Sequence, residues 1–452
     1  MIVAKFGGTS VADATAIRRT ASIIKDRLER HPIVVVSALA GTTNALLAAA
    51  EQSATGHLVT SIAQIESLRD RHLGVVYELL GDDATATDVA AETSMRFDEV
   101  AHLAEALSVL GHVTPRSLDA FASMGEQLSA PIVTAAFVRN GIDAVEVDAR
   151  CVMITDASFG RAEPQVDAIA AAAREHLAPV ARSGRVPVLG GYIGATSDRV
   201  TTTLGRGGSD YSASLIGAAL EVDAIEIWTD VDGMLTADPR VVANARPIEH
   251  IRFDEAAELA SFGAKVLHPS TIAPAVRRGI PVYVLNSLRP EAKGTRITFD
   301  APRAPVRDIA GKSNVVIVKV KSARMLATPG ALRAIFEVFE RNRTSVDVVA
   351  TSEVSVSLTV DDDQHLDSVV AQLRAFGDVS VERGRGIVAL VGAGLGESSP
   401  TMAKALAAIG DVRLHMLSLS ATGINLTLIV DADQVTPVVV RLHDVFFGGG
   451  SC

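Results

Sequence analysis

The chain has 452 residues, 48% apolar and 21% charged, which is the composition of a globular protein and excludes a disordered one. That length is enough for two or three domains. Acidic residues outnumber basic ones, 53 against 42, for a formal charge of -11; this argues against a nucleic-acid surface and leaves a small anionic ligand open.

The N-terminus, MIVAKFGGTS, enters a strand at once and shows no charged leader followed by a long apolar core. The most apolar stretch, Ile33 to Ala50, contains Ser37, Gly41, Thr42, Thr43 and Asn44. It reads as strand, polar loop and helix rather than as a membrane span. Cys151 and Cys452 form neither a zinc pattern nor a disulfide framework, and a reducing compartment fits them. The expectation is a soluble, cytoplasmic protein without membrane or nucleic-acid partners.

From Met1 to about Phe299, the β-branched runs IVAKF, PIVVVSA, VPVLGGY, AIEIWTD and IPVYVLN alternate with helical stretches. These include Ala12–Glu29, Arg116–Asn140, Gln165–Ser183 and Asp210–Leu220. The alternation predicts an α/β fold, a largely parallel sheet sandwiched by helices. Ligands of such sheets sit at the carboxyl ends of the strands. Asp300–Asp308 holds two prolines and marks a boundary.

Beyond it a strand–helix–strand–strand–helix unit recurs with a period of about 70 residues. The first copy begins VVIVKV and GALRAIFEVFERN, the second IVALVGA and PTMAKALAAIG. Each copy predicts a small α+β sandwich with one sheet face covered by two helices. The expected division is 1–299, 309–385, 386–446 and a glycine-rich tail, 447–452.

Lys5-Phe6-Gly7-Gly8-Thr9-Ser10 follows the opening strand. Paired glycines let backbone amides approach an anion, and Lys5 adds a full charge; alone, the motif is also an ordinary tight turn. Thr202–Asp210 sets three glycines around Arg206 at the start of a helix. Arg206 can grip a carboxylate bidentately, and Ser209 and Asp210 fall at the helix N-terminus; a plain capped turn explains it equally well.

Trp228–Gly233, with Asp238-Pro239-Arg240, offers carboxylates and an arginine after a strand. Ser261–Pro269 brings Lys265 at a helix end, and His268 in it has no second histidine spaced as a metal partner. Met124–Leu128 puts Glu126 inside a helix, where a solvated side chain is the default. Val391–Gly396 is similar to a dinucleotide fingerprint, but its third glycine comes one residue early and no acid follows at about 20 residues.

Taken together, KFGGTSV, SALAGTTN, MGEQLSA, FGRAEP, TTTLGRGGSDYSA, IWTDVDGMLTADPR and FGAKVLHP resemble, in order, the aspartate kinases of the amino acid kinase fold. The C-terminal repeat resembles their tandem ACT domains, of the lysine-sensitive, single-function type. The resemblance spans essentially the whole chain. It implies that ATP and L-aspartate give ADP and 4-phospho-L-aspartate, the first step toward lysine, threonine and methionine.

It also implies roles for individual residues. Lys5 and Lys265 neutralise the phosphoryl group in flight, and Asp210 holds their ammonium groups. Thr43, Glu126, Arg206 and Ser209, with Gly207 and Gly208, bind aspartate. Thr229, Asp230 and Arg240 hold the nucleotide, with Gly7 and Gly8 near its phosphates. Magnesium comes with ATP, held mainly by phosphate oxygens and water.

For the effector, with lysine favoured, the matching residues are Met325, Gly330, Leu332, Ser345, Val346, Asp347, Thr351, Ser352 and Glu353. Asp347 and Glu353 are the counter-charges to ammonium. This chain departs from the family at Leu235, often Tyr, at Tyr192, commonly Phe, and at Ala327, where lysine-sensitive relatives carry His or Gln. ACT domains commonly pair across subunits, so a homodimer through residues after about Asp308 is expected. Two rivals stand beside this reading: a kinase of the same fold acting on N-acetylglutamate, glutamate or a nucleoside monophosphate, and an amino-acid sensor with a silent kinase domain.

Overall fold

Strand β1 (Ile2–Phe6) and its parallel neighbour β2 (Pro32–Val36) are buried along their whole lengths. Such continuous apolar runs belong to parallel strands covered on both faces. The computed structural model describes residues 1–261, 269–322, 329–361 and 364–448. The chain forms two compact units, Met1–Met234 with Val266–Phe299, and Leu235–Lys265 with Asp300–Cys452. Leu235–Lys265 thus falls in the second unit although it precedes residue 299.

The first unit continues with β3 (Ala144–Glu146), β4 (Val186–Gly190), β5 (Ile193–Ala195), β6 (Thr201–Thr203) and β7 (Ala224–Thr229). After β8 (His250–Arg252), which lies in the second unit, come β9 (Val282–Asn286) and β10 (Thr295–Thr298). Strands β3, β4, β2, β1, β7 and β9 run parallel in that order, and β10 closes antiparallel on β9.

The helices of this unit are α1 (Ala14–Lys25), α2 (Thr42–Ala54), α3 (Leu58–Leu80), α4 (Ala84–Leu110), α5 (Pro115–Arg139), α6 (Val166–His176), α7 (Ala178–Arg182) and α8 (Gly208–Leu220). On one sheet face Ala4, Phe6, Val34, Val36 and Val188 pack with Ile17 and Ile24 of α1 and Val133 and Phe137 of α5. Side chains alternate along a strand, so Lys5 points to the opposite face, where α8 lies. Away from the sheet, α2 to α5 build a second core around Leu46, Ile65, Phe97, Phe121 and Leu128. Helix α5 starts at Pro115, one residue before the expected Arg116, because Thr114 and Ser117 form a reciprocal cap and Pro115 suits the first turn.

Helix α9 (Phe253–Ser261) belongs to the second unit and α10 (Pro269–Arg278) to the first. The C-terminal repeat reads β11 (Asp308–Lys321), α11 (Ala331–Arg341), β12 (Val349–Ser352), β13 (Ser355–Val360) and α12 (Leu366–Leu373). It then repeats as β14 (Asp378–Val391), α13 (Ser399–Ile409), β15 (Met416–Leu419), β16 (Asn425–Asp431) and α14 (Val435–Phe447). Both copies join one antiparallel sheet, ordered β12-β13-β11-β14-β16-β15.

The central strands β11 and β14 have 14 residues each and serve both copies. Asp308–Lys312 pair with Ile387–Val391, and after an irregularity Ile317–Lys321 pair with Asp378–Glu382. Strand β14 therefore runs across residue 385 without a break. Helices α11 and α12 cover Val316, Val318, Leu358 and Val360, while α13 and α14 cover Val388, Leu390, Leu426 and Leu428. The opposite face is apolar as well, with Val315, Ile317, Ile387, Ala389, Met416 and Ile429 buried together.

The glycines of Val391–Gly396 have a packing reason. A Cβ on Gly392 would lie 2.4 Å from the Pro305 carbonyl oxygen. Among the described residues, no helix is long and apolar enough to cross a membrane.

Candidate active site

The segments after β1, β2 and β4 meet the N-terminus of α8 around a cleft of about 660 Å³. This is the carboxyl end of adjacent parallel strands, where such sheets bind ligands. Lys5, Gly8, Thr43, Glu126, Arg206, Gly207, Gly208, Ser209 and Asp210 all line it. Sequence reasoning placed these residues at a site; it did not single out Ser37, Asn44, Leu47 or Gly160, which line it too.

Lys5 Nζ lies 2.6 Å from Asp210 Oδ1, close enough for an ion pair though not aligned as a hydrogen bond, and both side chains are largely buried. Asp210 stands in the first turn of α8, where a carboxylate is favoured. Ser37 Oγ donates to Ser209 Oγ at 3.0 Å, and Ser129 of α5 donates to the Ser37 carbonyl at 2.8 Å. Arg206 is exposed between Gly205 and Gly207, whose φ angles of 76° and 73° are left-handed and suit glycine.

Glu126 is not the solvated residue that its place in a helix suggests. It is 4% exposed, and among the described residues its Oε2 finds no hydrogen-bond partner. Burial pushes its carboxyl up to about 8, against the opposing pull of the Ala38 amide and Lys5. Helix α5 approaches the β2 loop this closely because residue 125 is glycine: a Cβ there would meet Ala38 Cβ at 2.7 Å. A buried carboxyl oxygen without a partner at a cleft calls for one, and a bound ligand can supply it.

Of the residues expected at the nucleotide, Lys5 and Gly8 line this cleft. Thr229 ends β7 beside β1, and its Oγ1 donates to Asp230 Oδ1 at 3.2 Å. Neither residue lines the cleft. Gly7 N–H donates to the Trp228 carbonyl at 3.0 Å, so its amide is already engaged, and a Cβ on Gly7 would lie 3.6 Å from Lys5 Nζ. Arg240 lies in the second unit, 81% exposed and paired with Asp238 at 2.6 Å. Lys265 lies outside the described residues.

Of the expected effector residues, Met325 lies outside the described residues, as does Ala327. Gly330 caps α11 in the left-handed conformation, Leu332 is exposed in its first turn, and Ser345, Val346 and Asp347 lead into β12. Thr351 and Ser352 end that edge strand, and Glu353 follows, exposed. Asp347 is partly buried, with Lys312 Nζ at 3.6 Å, and Lys312 also pairs with Asp361. Burial, and after it the neighbouring Asp361, raises the Asp347 carboxyl to about 6.

A mainly parallel sheet with its cleft at the strand ends, an ion-paired lysine and a glycine-flanked arginine defines the class: residues 1–286 match the amino acid kinase family. Over 456 residues the chain is 36% identical to lysine-sensitive aspartokinase 3 of Escherichia coli, covering 99% of both chains. It is 37% identical to the chloroplastic aspartokinase 3 of Arabidopsis thaliana, covering 100% of this chain and 82% of that one. The crystal structure of E. coli aspartokinase III with aspartate and ADP, an R-state, superposes with a TM-score of 0.85 over 99% of this chain and 100% of that one. The T-state of the same enzyme, with lysine and aspartate, gives 0.82 over 99% of both, at the same 36% identity. This chain belongs to the aspartokinases.

Proposed function

We propose that the chain transfers the γ-phosphoryl group of ATP to the side-chain carboxylate of L-aspartate, giving ADP and 4-phospho-L-aspartate. The observation that carries this reading is that Glu126, Arg206 and the Lys5–Asp210 pair all line one cleft. Arg206 takes a carboxylate of the substrate through its planar fork. Glu126, unpartnered and buried, takes the α-ammonium; an acetylated amine or a phosphate has no use for a carboxylate there.

The reaction asks for alignment and charge stabilisation. The aspartate β-carboxylate is ionised at neutral pH, so its oxygen attacks the γ-phosphorus without a general base. The bond from the γ-phosphorus to the bridging oxygen breaks, and ADP leaves with that electron pair. Lys5, held by Asp210, offsets charge on the phosphoryl oxygens, with Lys265 as the second cation. Ser209 and Thr43 orient aspartate, with Gly207 and Gly208 leaving room for it. Thr229 and Asp230 hold the nucleotide, and Gly7 and Gly8 border its phosphates. ATP enters as its magnesium complex, an ion that keeps its phosphate oxygens and waters.

The kinase reading is favoured over the silent sensor by the intact Lys5–Asp210 pair. ADP release measured against L-aspartate, L-glutamate, N-acetyl-L-glutamate and UMP tests it. Turnover should depend on L-aspartate, and equal turnover with N-acetylglutamate or UMP overturns the reading.

The C-terminal repeat is the regulatory part, and lysine is the effector. Its ammonium groups face Asp347 and Glu353, and Gly330, Leu332, Ser345, Val346, Thr351 and Ser352 surround it, with Met325. To inhibit, it binds the inactive arrangement more tightly, by about 1–3 kcal/mol of coupling. The protein is cytoplasmic and forms a homodimer through residues after about Asp308. The edge strands of the repeat support this, since β15 leaves Leu417 and Leu419 about two-fifths exposed. Light scattering should give twice the chain mass; a monomer at every working concentration contradicts the dimer.

A further inference from the structure

Asp119 sits on α5 seven residues before Glu126, two helical turns along the same face. It is 2% exposed and does not itself line the cleft. Its carboxylate accepts from Gly160 N–H at 3.0 Å (Oδ1) and 2.9 Å (Oδ2), from Thr203 N–H at 3.1 Å and from Thr203 Oγ1 at 2.6 Å. A buried carboxylate persists only when its lone pairs are satisfied, and here two chain segments satisfy them.

Those segments carry the carboxylate end of the site. Gly160 lines the cleft. Thr203 ends β6, three residues before Arg206. The two segments also touch each other, because the Thr203 carbonyl accepts from Ala162 N–H at 2.8 Å and a Cβ on Gly205 would meet the Gly160 carbonyl at 3.4 Å. Asp119 therefore bonds the Arg206 loop to the helix that bears Glu126.

We propose that Asp119 is a positioning residue that fixes the spacing between Arg206 and Glu126, and with it the length of amino dicarboxylate that the site accepts. The inference rests on the L-aspartate reading above. The residues that touch the substrate discriminate a one-methylene difference only while the bonds behind them hold them in place. Losing the Asp119 junction lets the Arg206 loop move away from α5, so L-aspartate loses its advantage over the longer L-glutamate.

The test is the kinetics of Asp119→Asn and Thr203→Val, both close in volume to the native residues. In each, KM for L-aspartate should rise about tenfold, with KM for ATP within about twofold of the parent. The kcat/KM preference for L-aspartate over L-glutamate should fall by about tenfold. The double variant should be no worse than the worse single one, because both remove one junction. An unchanged preference, or equal rises in both KM values, overturns the inference. If Asp119→Asn does not fold, Thr203→Val decides by the same numbers. A parent protein that does not turn over L-aspartate would instead refute the functional reading itself.

Discussion

Lys5 Nζ lies 2.6 Å from Asp210 Oδ1, joining β1 to the first turn of α8. The ammonium is thus held at the cleft before any nucleotide arrives, and a preorganised cation costs no reorganisation during transfer. Lys5→Ala should lower kcat by about 10²–10³, the usual effect of losing one such donor. Asp210→Asn should act in the same direction by releasing the lysine. Steady-state kinetics decide it: a normal kcat with only a raised KM would move either residue from chemistry to binding.

Glu126 gives a pH signature. Its carboxyl is raised to about 8 by burial in the free site, whereas a substrate ammonium requires the carboxylate. Aspartate binding must then release a proton below that value. KM for L-aspartate should fall as pH rises from 6 toward 8, by roughly tenfold per unit, and level off near 8. Glu126→Gln should raise KM and flatten the profile. A flat profile in the parent protein contradicts an ammonium contact at Glu126.

Gly125 tests how tightly α5 must approach the β2 loop. Gly125→Ala gains about 1 kcal/mol of helix propensity. The new Cβ, however, would lie 2.7 Å from Ala38 Cβ and 3.4 Å from Thr43 Oγ1, and overpacking costs about 1–3 kcal/mol. The clash should win, lowering Tm and raising KM for L-aspartate together. Thermal unfolding with parallel kinetics checks both.

At the regulatory unit, Lys312 already offers an ammonium to Asp347. An effector lysine has to compete with it, so Lys312→Met should lower the lysine concentration for half-inhibition by up to about fivefold, the scale of losing one partly exposed ion pair. Asp347 is raised to about 6, so inhibition should weaken as pH falls through 6 and its charge is lost. Ala327→His should add a hydrogen-bonding partner worth about 1 kcal/mol and increase lysine sensitivity. Inhibition curves at pH 5.5 and 7.5 on the three proteins provide the check, and no inhibition in any of them rules lysine out.

Much of the architecture was readable from the sequence because strand and helix periods alternate cleanly and glycines punctuate the loops after β1 and before α8. Lys5, Arg206, Ser209 and Asp210 stood out for that reason. Glu126 carried the right residue type, but its burial was invisible, since α5 is buried on nearly every side and lacks the polar stripe that would show which face meets the cleft. Asp119 was missed outright. Its seven-residue spacing from Glu126 was a signal, yet its partners, Gly160 and Thr203, come from distant loops that only the fold brings together. The hydrogen bond that engages the Gly7 amide and the two-sided burial of β11 and β14 arise from tertiary packing, which local patterns do not encode.

The proposed reaction stands or falls on its product, an acyl phosphate on the aspartate side chain. Incubation with ATP, magnesium, L-aspartate and hydroxylamine, followed by mass spectrometry of the trapped product, tests it most directly. Aspartate β-hydroxamate should form in one-to-one proportion with ADP, and its yield in Lys5→Ala over the same interval should fall by about 10²–10³. ADP release without hydroxamate, or a hydroxamate at the α-carboxyl, would contradict it.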